Sequence, residues 1–241
     1  MTRRARAAAF ASREQAGKEL AQLLSGESFE RPVVLALPRG GVPVGLEIAR
    51  TLHAPLDLVM VRKIGVPDQP ELAAAAIVDG DQHDIVLNEE VMALAHVDLA
   101  DLETTIQREL VEIARRRDIY LRGRAAIPIE GRTAIVVDDG IATGTTLKVA
   151  IKALKKRHPK EIIVATPVAP ADTVETLRDL VDKVFCISQP SPFIAIGLHY
   201  LDFHPLSDSE VIEALAKSPP DVPDTQASVT SPGTSNGGLP H

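Results

Sequence analysis

The sequence predicts an α/β fold built on a doubly wound, mainly parallel sheet flanked by helices. Short apolar, β-branched runs alternate with helix-like stretches along the chain, which is the rhythm of βαβ units. Those runs, Val33 to Leu37 and Ile135 to Val137 among them, are apolar at every position rather than at every second one. That pattern belongs to strands covered on both faces. With 241 residues, 45% of them apolar, the chain is long enough to bury one sizeable core.

The elements follow in order. Ser12 and Gln15 have capping-box spacing, and Ala16, Leu20, Leu23 and Leu24 fall on one face of the helix they open. Strand-like runs come at Val33 to Leu37, Leu56 to Val61, Ile85 to Leu87, Ala134 to Val137, Ile162 to Ala165 and Val184 to Ile187. Arg62 to Leu72, which holds two prolines, a glycine and mixed charge, reads as a mobile loop. Leu102, Ile106, Leu110 and Ile113 recur at helical spacing among charges, predicting one long surface helix over Leu99 to Arg122. Lys217 to His241 holds 5 Pro, 4 Ser, 3 Thr and 3 Gly with no periodic apolar face, so it reads as a disordered tail behind a single domain over residues 1–216.

Composition removes several classes of function. No apolar stretch approaches the roughly 20 residues of a membrane helix. Met1 to Phe10 lacks the apolar run of a secretory leader, so the chain reads as soluble and cytoplasmic. The single cysteine, Cys186, excludes an intramolecular disulfide framework, and its place in an apolar strand marks a buried thiol rather than a nucleophile. A net charge of −7, an aromatic content of 3% and no Trp argue against a nucleic-acid clasp or an aromatic base-stacking platform. The histidines show no metal-ligand spacing. There is no nucleophile elbow, Walker loop or dinucleotide-binding glycine pattern: Gly40, Gly41 and Gly45 have the wrong spacing for the last.

The chemistry concentrates in Thr133 to Thr146, TAIVVDDGIATGTT: a buried strand, two aspartates at its carboxyl end, a turn, then hydroxyls opening a helix. Ligands of open α/β sheets bind at such strand ends. Thr143, Gly144, Thr145 and Thr146 would present amides and hydroxyls at a helix N-terminus, which suits a phosphate. Asp138 and Asp139 cannot favour that phosphate and suit ribose hydroxyls or a divalent cation. Taken singly, such aspartates cap helices and such threonines fill turns; the whole order points to a ribose 5-phosphate. A second segment, LPRGGVPVG from Leu37 to Gly45, follows the first strand, and there Arg39 offers a fork of donors while Gly40 and Gly41 expose backbone amides.

The Thr133 to Thr146 string resembles the phosphoribosyl pyrophosphate signature of the type I phosphoribosyltransferases, and Leu37 to Gly45 resembles that family's pyrophosphate loop. The resemblance implies the family's fold with a small hood region. It implies that Asp138 and Asp139 hold the ribose hydroxyls and a Mg²⁺ ion, that Ala142, Thr143, Gly144, Thr145 and Thr146 hold the 5-phosphate, and that Arg39, Gly40 and Gly41 hold the diphosphate. Arg62 and Lys63 are candidates for further diphosphate contacts, and Glu71 for a catalytic role on the base. Phe193 to Phe203, FIAIGLHYLDF, resembles a purine hood, with Phe193 stacking on the base and Asp202 nearby. At Ala142 the hypoxanthine and xanthine enzymes carry an aspartate; adenine and uracil enzymes carry alanine. The implied reaction moves ribose 5-phosphate from phosphoribosyl pyrophosphate to a nucleobase-like acceptor and releases pyrophosphate. The alternative is a non-catalytic regulator of the same fold that binds the donor. A homodimer is the family's habit.

Overall fold

The computed structural model describes residues 10–67, 69–79 and 83–221. The chain runs α1 (Arg13–Leu24), β1 (Val33–Ala36), α2 (Gly41–Leu52), β2 (Leu56–Leu58), β3 (Val61–Val66), β4 (Gln69–Val78), β5 (Asp84–Leu87), α3 (Glu89–Ala95) and α4 (Leu99–Leu121). It continues through β6 (Thr133–Val137), α5 (Thr145–Lys155), β7 (Glu161–Val168), α6 (Ala171–Arg178), β8 (Lys183–Ser188), a short 3-10 turn (Ile196–His199) and α7 (Asp208–Ala216).

The main sheet has five parallel strands in the order β2-β1-β6-β7-β8. Strands β1, β2 and β6 are buried at every residue and β7 at all but its first, while the edge strand β8 is only half-buried; alternate side chains enter two separate cores. Val34, Ala36, Ile135 and Val137 meet α1, α2, α4 and α7 on one face. Val33, Leu35, Ala134 and Val136 meet α5 and α6 on the other. The chain leaves β1 toward β2 in one direction and β6 toward β7 in the other, so the strand order reverses between the adjacent strands β1 and β6. That reversal opens a crevice at their carboxyl ends.

The doubly wound prediction therefore holds, with three corrections in detail. The run Leu56 to Val61 is not one strand: β2 stops at Leu58, buried Val59 and Met60 carry the chain across, and Val61 starts a second sheet. That sheet is antiparallel, in the order β3-β4-β5, and it takes Ile85 to Leu87 out of the parallel set. Arg62 to Leu72, expected as a loop, forms most of the β3–β4 hairpin. In α1, Ala16, Leu20 and Leu24 are buried while Leu23 stays 48% exposed. The Ser12 side chain accepts from the Gln15 amide, as the capping box requires, while Gln15 Oε1 accepts from the Ala11 amide at 3.1 Å.

The two sheets are tied by a buried ionic knot. Arg117 of α4 donates to Asp79 at 2.7 Å and to both oxygens of Asp57 at 3.1 and 3.2 Å. Asp57 also accepts from the amides of Leu58 and Ile127. At the carboxyl end, α7 is followed by residues 217–221, and Arg132 forms a two-pronged pair with Asp221. The rest of the expected tail, residues 222–241, lies outside the described residues.

Candidate functional site

Both sequence segments meet at the crevice. The loop after β1 and the loop after β6 are stitched together where the Leu37 amide donates to the Val137 carbonyl at 2.9 Å. The glycines are there because nothing larger fits. A Cβ on Gly41 would stand 2.5 Å from the Val137 carbonyl oxygen, and one on Gly40 would stand 2.1 Å from Asp139 Oδ2. Past the aspartates, Gly144 caps α5 at φ +70°, a left-handed conformation that a side chain strains against. Ala142, Thr143, Thr145 and Thr146 are exposed around it, and the Thr143 and Thr145 hydroxyls stand 3.1 Å apart. The Ala142 carbonyl accepts from the Thr173 hydroxyl at 2.8 Å, which fastens this turn to α6.

The two aspartates are not equivalent. Asp139 is buried, and its Oδ2 accepts from Nε of Arg13 at 2.7 Å. Its backbone carbonyl accepts from the Tyr200 hydroxyl at 2.5 Å. Asp138 is half-buried and its Oδ1 accepts from the Asp139 amide at 2.9 Å. Burial pushes the Asp138 carboxyl well above the ordinary aspartate range, and the charge of Asp139 adds to it. Burial also raises Asp139, with the Arg13 guanidinium pulling the other way.

Arg39 leans out of its loop to donate to the Leu206 carbonyl at 2.5 Å and lies 3.7 Å from Asp208. It borders a cavity of about 120 Å³ together with Pro38, Met60, Arg62, Arg116 and Tyr120. Three arginines thus border one small space. Arg62 is held there by Glu109 at 2.7 Å, and Arg116 by Glu112 at 2.6 Å.

Adjacent residues of a strand face opposite ways, and this separates the expected Arg62 and Lys63 pair. Lys63 borders a different cavity, of about 410 Å³, with Thr145, Val149 and Lys152 of α5. Glu71 is exposed on β4 and is not among the residues lining either space. A third cavity, about 870 Å³, opens on the other side of α5 between Ala142, Thr143, Asp172, Phe193 and Ile194. Phe193 thus stands across from the Ala142 to Thr146 turn, stacked against His199 with ring centroids 5.5 Å apart.

The hood is not a strand. Phe193 to Phe203 is irregular around the 3-10 turn, and Tyr200 makes an isolated bridge to Phe10. Phe10, Tyr200 and Phe203 pack as a small aromatic core. Asp202, expected near the base, is exposed and accepts from His204. Sequence reasoning missed Arg13 and Arg116. Arg13 carries a detectable signal, a cation in the first turn of a helix, where acidic residues are favoured.

Among the described residues, no group of three or more His, Cys, Asp or Glu side chains is arranged to hold a metal, and no helix is long and apolar enough to cross a membrane. Residues 9–202 match the family model described as phosphoribosyl transferase domain. Two curated Mycobacterium tuberculosis proteins, whose names set them among the phosphoribosyl transferases, are each 43% identical over 209 residues, or 87% of this chain. The chain spans about half of those relatives, 47% of their length. The crystal structure of TT1426 from Thermus thermophilus is 37% identical, covers 87% of this chain and 98% of its own, and superposes with a TM-score of 0.76.

Proposed function

The chain belongs to the phosphoribosyl transferase domain family, and on that premise we propose that it moves ribose 5-phosphate from phosphoribosyl pyrophosphate to a nitrogenous base, releasing pyrophosphate. One observation carries the reading. An amide- and hydroxyl-lined turn, a carboxylate pair and an arginine loop lie side by side on β1 and β6 at the point where the strand order reverses. These are complementary in turn to a phosphate, a sugar diol and a diphosphate.

In this reading Thr143 to Thr146 take the 5-phosphate on the positive end of α5. Asp138 and Asp139 take the ribose hydroxyls. Arg39 turns inward from Leu206, and with Arg62 it binds the diphosphate across their shared cavity. Lys63, on the far face of β3, is left with the space beside α5 rather than the diphosphate. The acceptor enters the wide cavity bordered by Phe193 and Ala142. Bond cleavage at the anomeric carbon builds positive charge on the sugar, so the chain contributes alignment and fixed charge rather than a protein nucleophile. The β3–β4 hairpin is the element available to exclude water, which competes with the base.

The Mg²⁺ that the family implies fits the donor set: two carboxylates offer hard oxygens, and Mg²⁺ typically takes one or two of these plus substrate phosphates. When bound it supplies charge neutralisation for the diphosphate. Asp138 and Asp139 would hold it.

A donor-binding regulator is the second reading. It is favoured by the irregular hood, whose Tyr200 and Phe203 pack into a core with Phe10 and are not among the residues lining the acceptor cavity; Ala142 at that cavity argues only against a 6-oxopurine. Pyrophosphate release from the donor with Mg²⁺, screened over purine and pyrimidine bases and paired with calorimetric donor binding, tests both. Base-dependent release supports the transferase. Donor binding without release for any base supports the regulator, and no donor binding refutes both.

A further inference from the structure

We propose that Arg13 is the positioning residue of the carboxylate pair: it fixes Asp139 so that the pair meets the ribose diol in one orientation. The inference rests on the transferase reading above, and it concerns a helix outside both ligand loops.

Local rules oppose Arg13 where it stands. It is the first residue of α1, at the positive end of the helix, and its side chain is only 8% exposed. Burying a guanidinium there is unfavourable unless it is fully engaged. It is engaged on three sides. Nε donates to Asp139 Oδ2 at 2.7 Å, Nη1 donates to the His204 carbonyl at 3.0 Å, and the guanidinium carbon lies 3.9 Å over the Phe203 ring. Three distant segments thus close on one side chain: the amino-terminal helix, the signature loop and the stretch after the hood.

Asp139 is confined in turn. Arg13 holds one of its oxygens, Tyr200 holds its carbonyl, and the bare face of Gly40 lies against its carboxylate. A carboxylate in this position cannot swing to follow a ligand. Its orientation is set before any sugar arrives, which is how a site lowers the cost of ordering on binding. Asp138, half-buried and outside this clamp, is the member of the pair left to adjust. Where local preference is violated by a buried group anchored by an ion pair, a carbonyl and a ring next to the ligand loops, a functional constraint is the expected reason.

The prediction is selective. Arg13 acts on the sugar-binding acid and bonds to Asp139 and His204 rather than to Arg39, so its loss should weaken sugar ligands and spare diphosphate alone. Calorimetry would measure phosphoribosyl pyrophosphate and ribose 5-phosphate at one Mg²⁺ concentration, and inorganic pyrophosphate without Mg²⁺ so that Asp139 takes no part in its binding, on the wild type, Arg13→Met and Phe203→Leu, with melting curves for each. Arg13→Met should weaken both sugar ligands by roughly 10- to 100-fold, the range for one charge-assisted hydrogen bond, while pyrophosphate stays within about twofold. Phe203→Leu keeps the ion pair but removes the ring, and should weaken the sugar ligands by about two- to fivefold. It decides the matter if Arg13→Met does not fold. A wild type that binds neither sugar ligand would refute the transferase reading itself. A wild type that binds them, with folded variants that lose nothing or lose all three ligands equally, would overturn the role of Arg13 alone.

Discussion

Replacing Gly40 by alanine separates backbone preference from space. Gly40 sits at φ −60° and ψ −38°, a conformation alanine adopts freely. On backbone grounds the change should stabilise by about 0.4–1 kcal/mol through a less flexible unfolded chain. The added Cβ, however, would lie 2.1, 2.4 and 2.8 Å from Oδ2, Cγ and Oδ1 of Asp139. That carboxylate cannot step aside at little cost, because Arg13 holds it and both side chains are 8–10% exposed. Overpacking of this kind costs about 1–3 kcal/mol. Breaking the buried pair outright costs about 3–5 kcal/mol, which sets the ceiling. A net loss of about 1–4 kcal/mol is expected, or roughly 2–15 °C in Tm for a chain of this length. The assay is urea and thermal unfolding of the unliganded protein by far-UV circular dichroism, since the chain has no Trp. Gly26→Ala is the control: its Cβ would meet only the Leu23 carbonyl, at 3.8 Å, and its effect should stay within about 0.5 kcal/mol. A Gly40→Ala protein as stable as the wild type, or more so, would refute the packing argument.

Three further outcomes are expected. Arg117→Met strands Asp57 and Asp79, which are 2% and 0% exposed, and should cost about 3–5 kcal/mol in urea unfolding. Asp138→Asn should raise the unliganded Tm at pH 7 while weakening donor binding. The folded carboxyl is raised above its unfolded value, so its ionised form costs the native state. As pH falls through the folded value the wild type binds its proton first and gains stability, and the advantage of Asp138→Asn in pH-dependent melting should shrink. Burial pushes the Cys186 thiol up to about 11, so the folded protein should react with maleimide at pH 7.5 far more slowly than the urea-unfolded chain.

What could be read from the sequence was what lies close together along it. Thr133 to Thr146 contains its own strand, acids, left-handed glycine and helix start, so spacing alone exposes the arrangement. Arg13 and Asp139 are 126 positions apart, and no local pattern links them. The run Leu56 to Val61 misleads because the connection through Val59 and Met60 is as buried as the strands it joins, and burial rather than strand geometry selects apolar residues there. Gly65, Pro67 and Pro70 carry turn signals through Arg62 to Leu72, yet cross-strand pairing with β4 overrides them. In the hood, only part of the aromatic run faces a cavity, and Phe193 is that part. Tyr200 and Phe203 are aromatics of a core that also holds Phe10, and they support Asp139 and Arg13 rather than a base.

The regular part of the β3–β4 hairpin pairs Val61 with Val78, Arg62 with Ile77 and Lys63 with Ala76; its irregularities all fall further out, between Ile64 and Val66. Insertions at the tip are therefore absorbed by the bulge, and tip length can vary without turning either cation. A single deletion between Met60 and Arg62 is different in kind. It would invert the strand, carrying Arg62 away from Arg39 and bringing Lys63 toward it. Related chains should accordingly tolerate tips of many lengths while keeping the count of residues from the end of β2 to this arginine invariant.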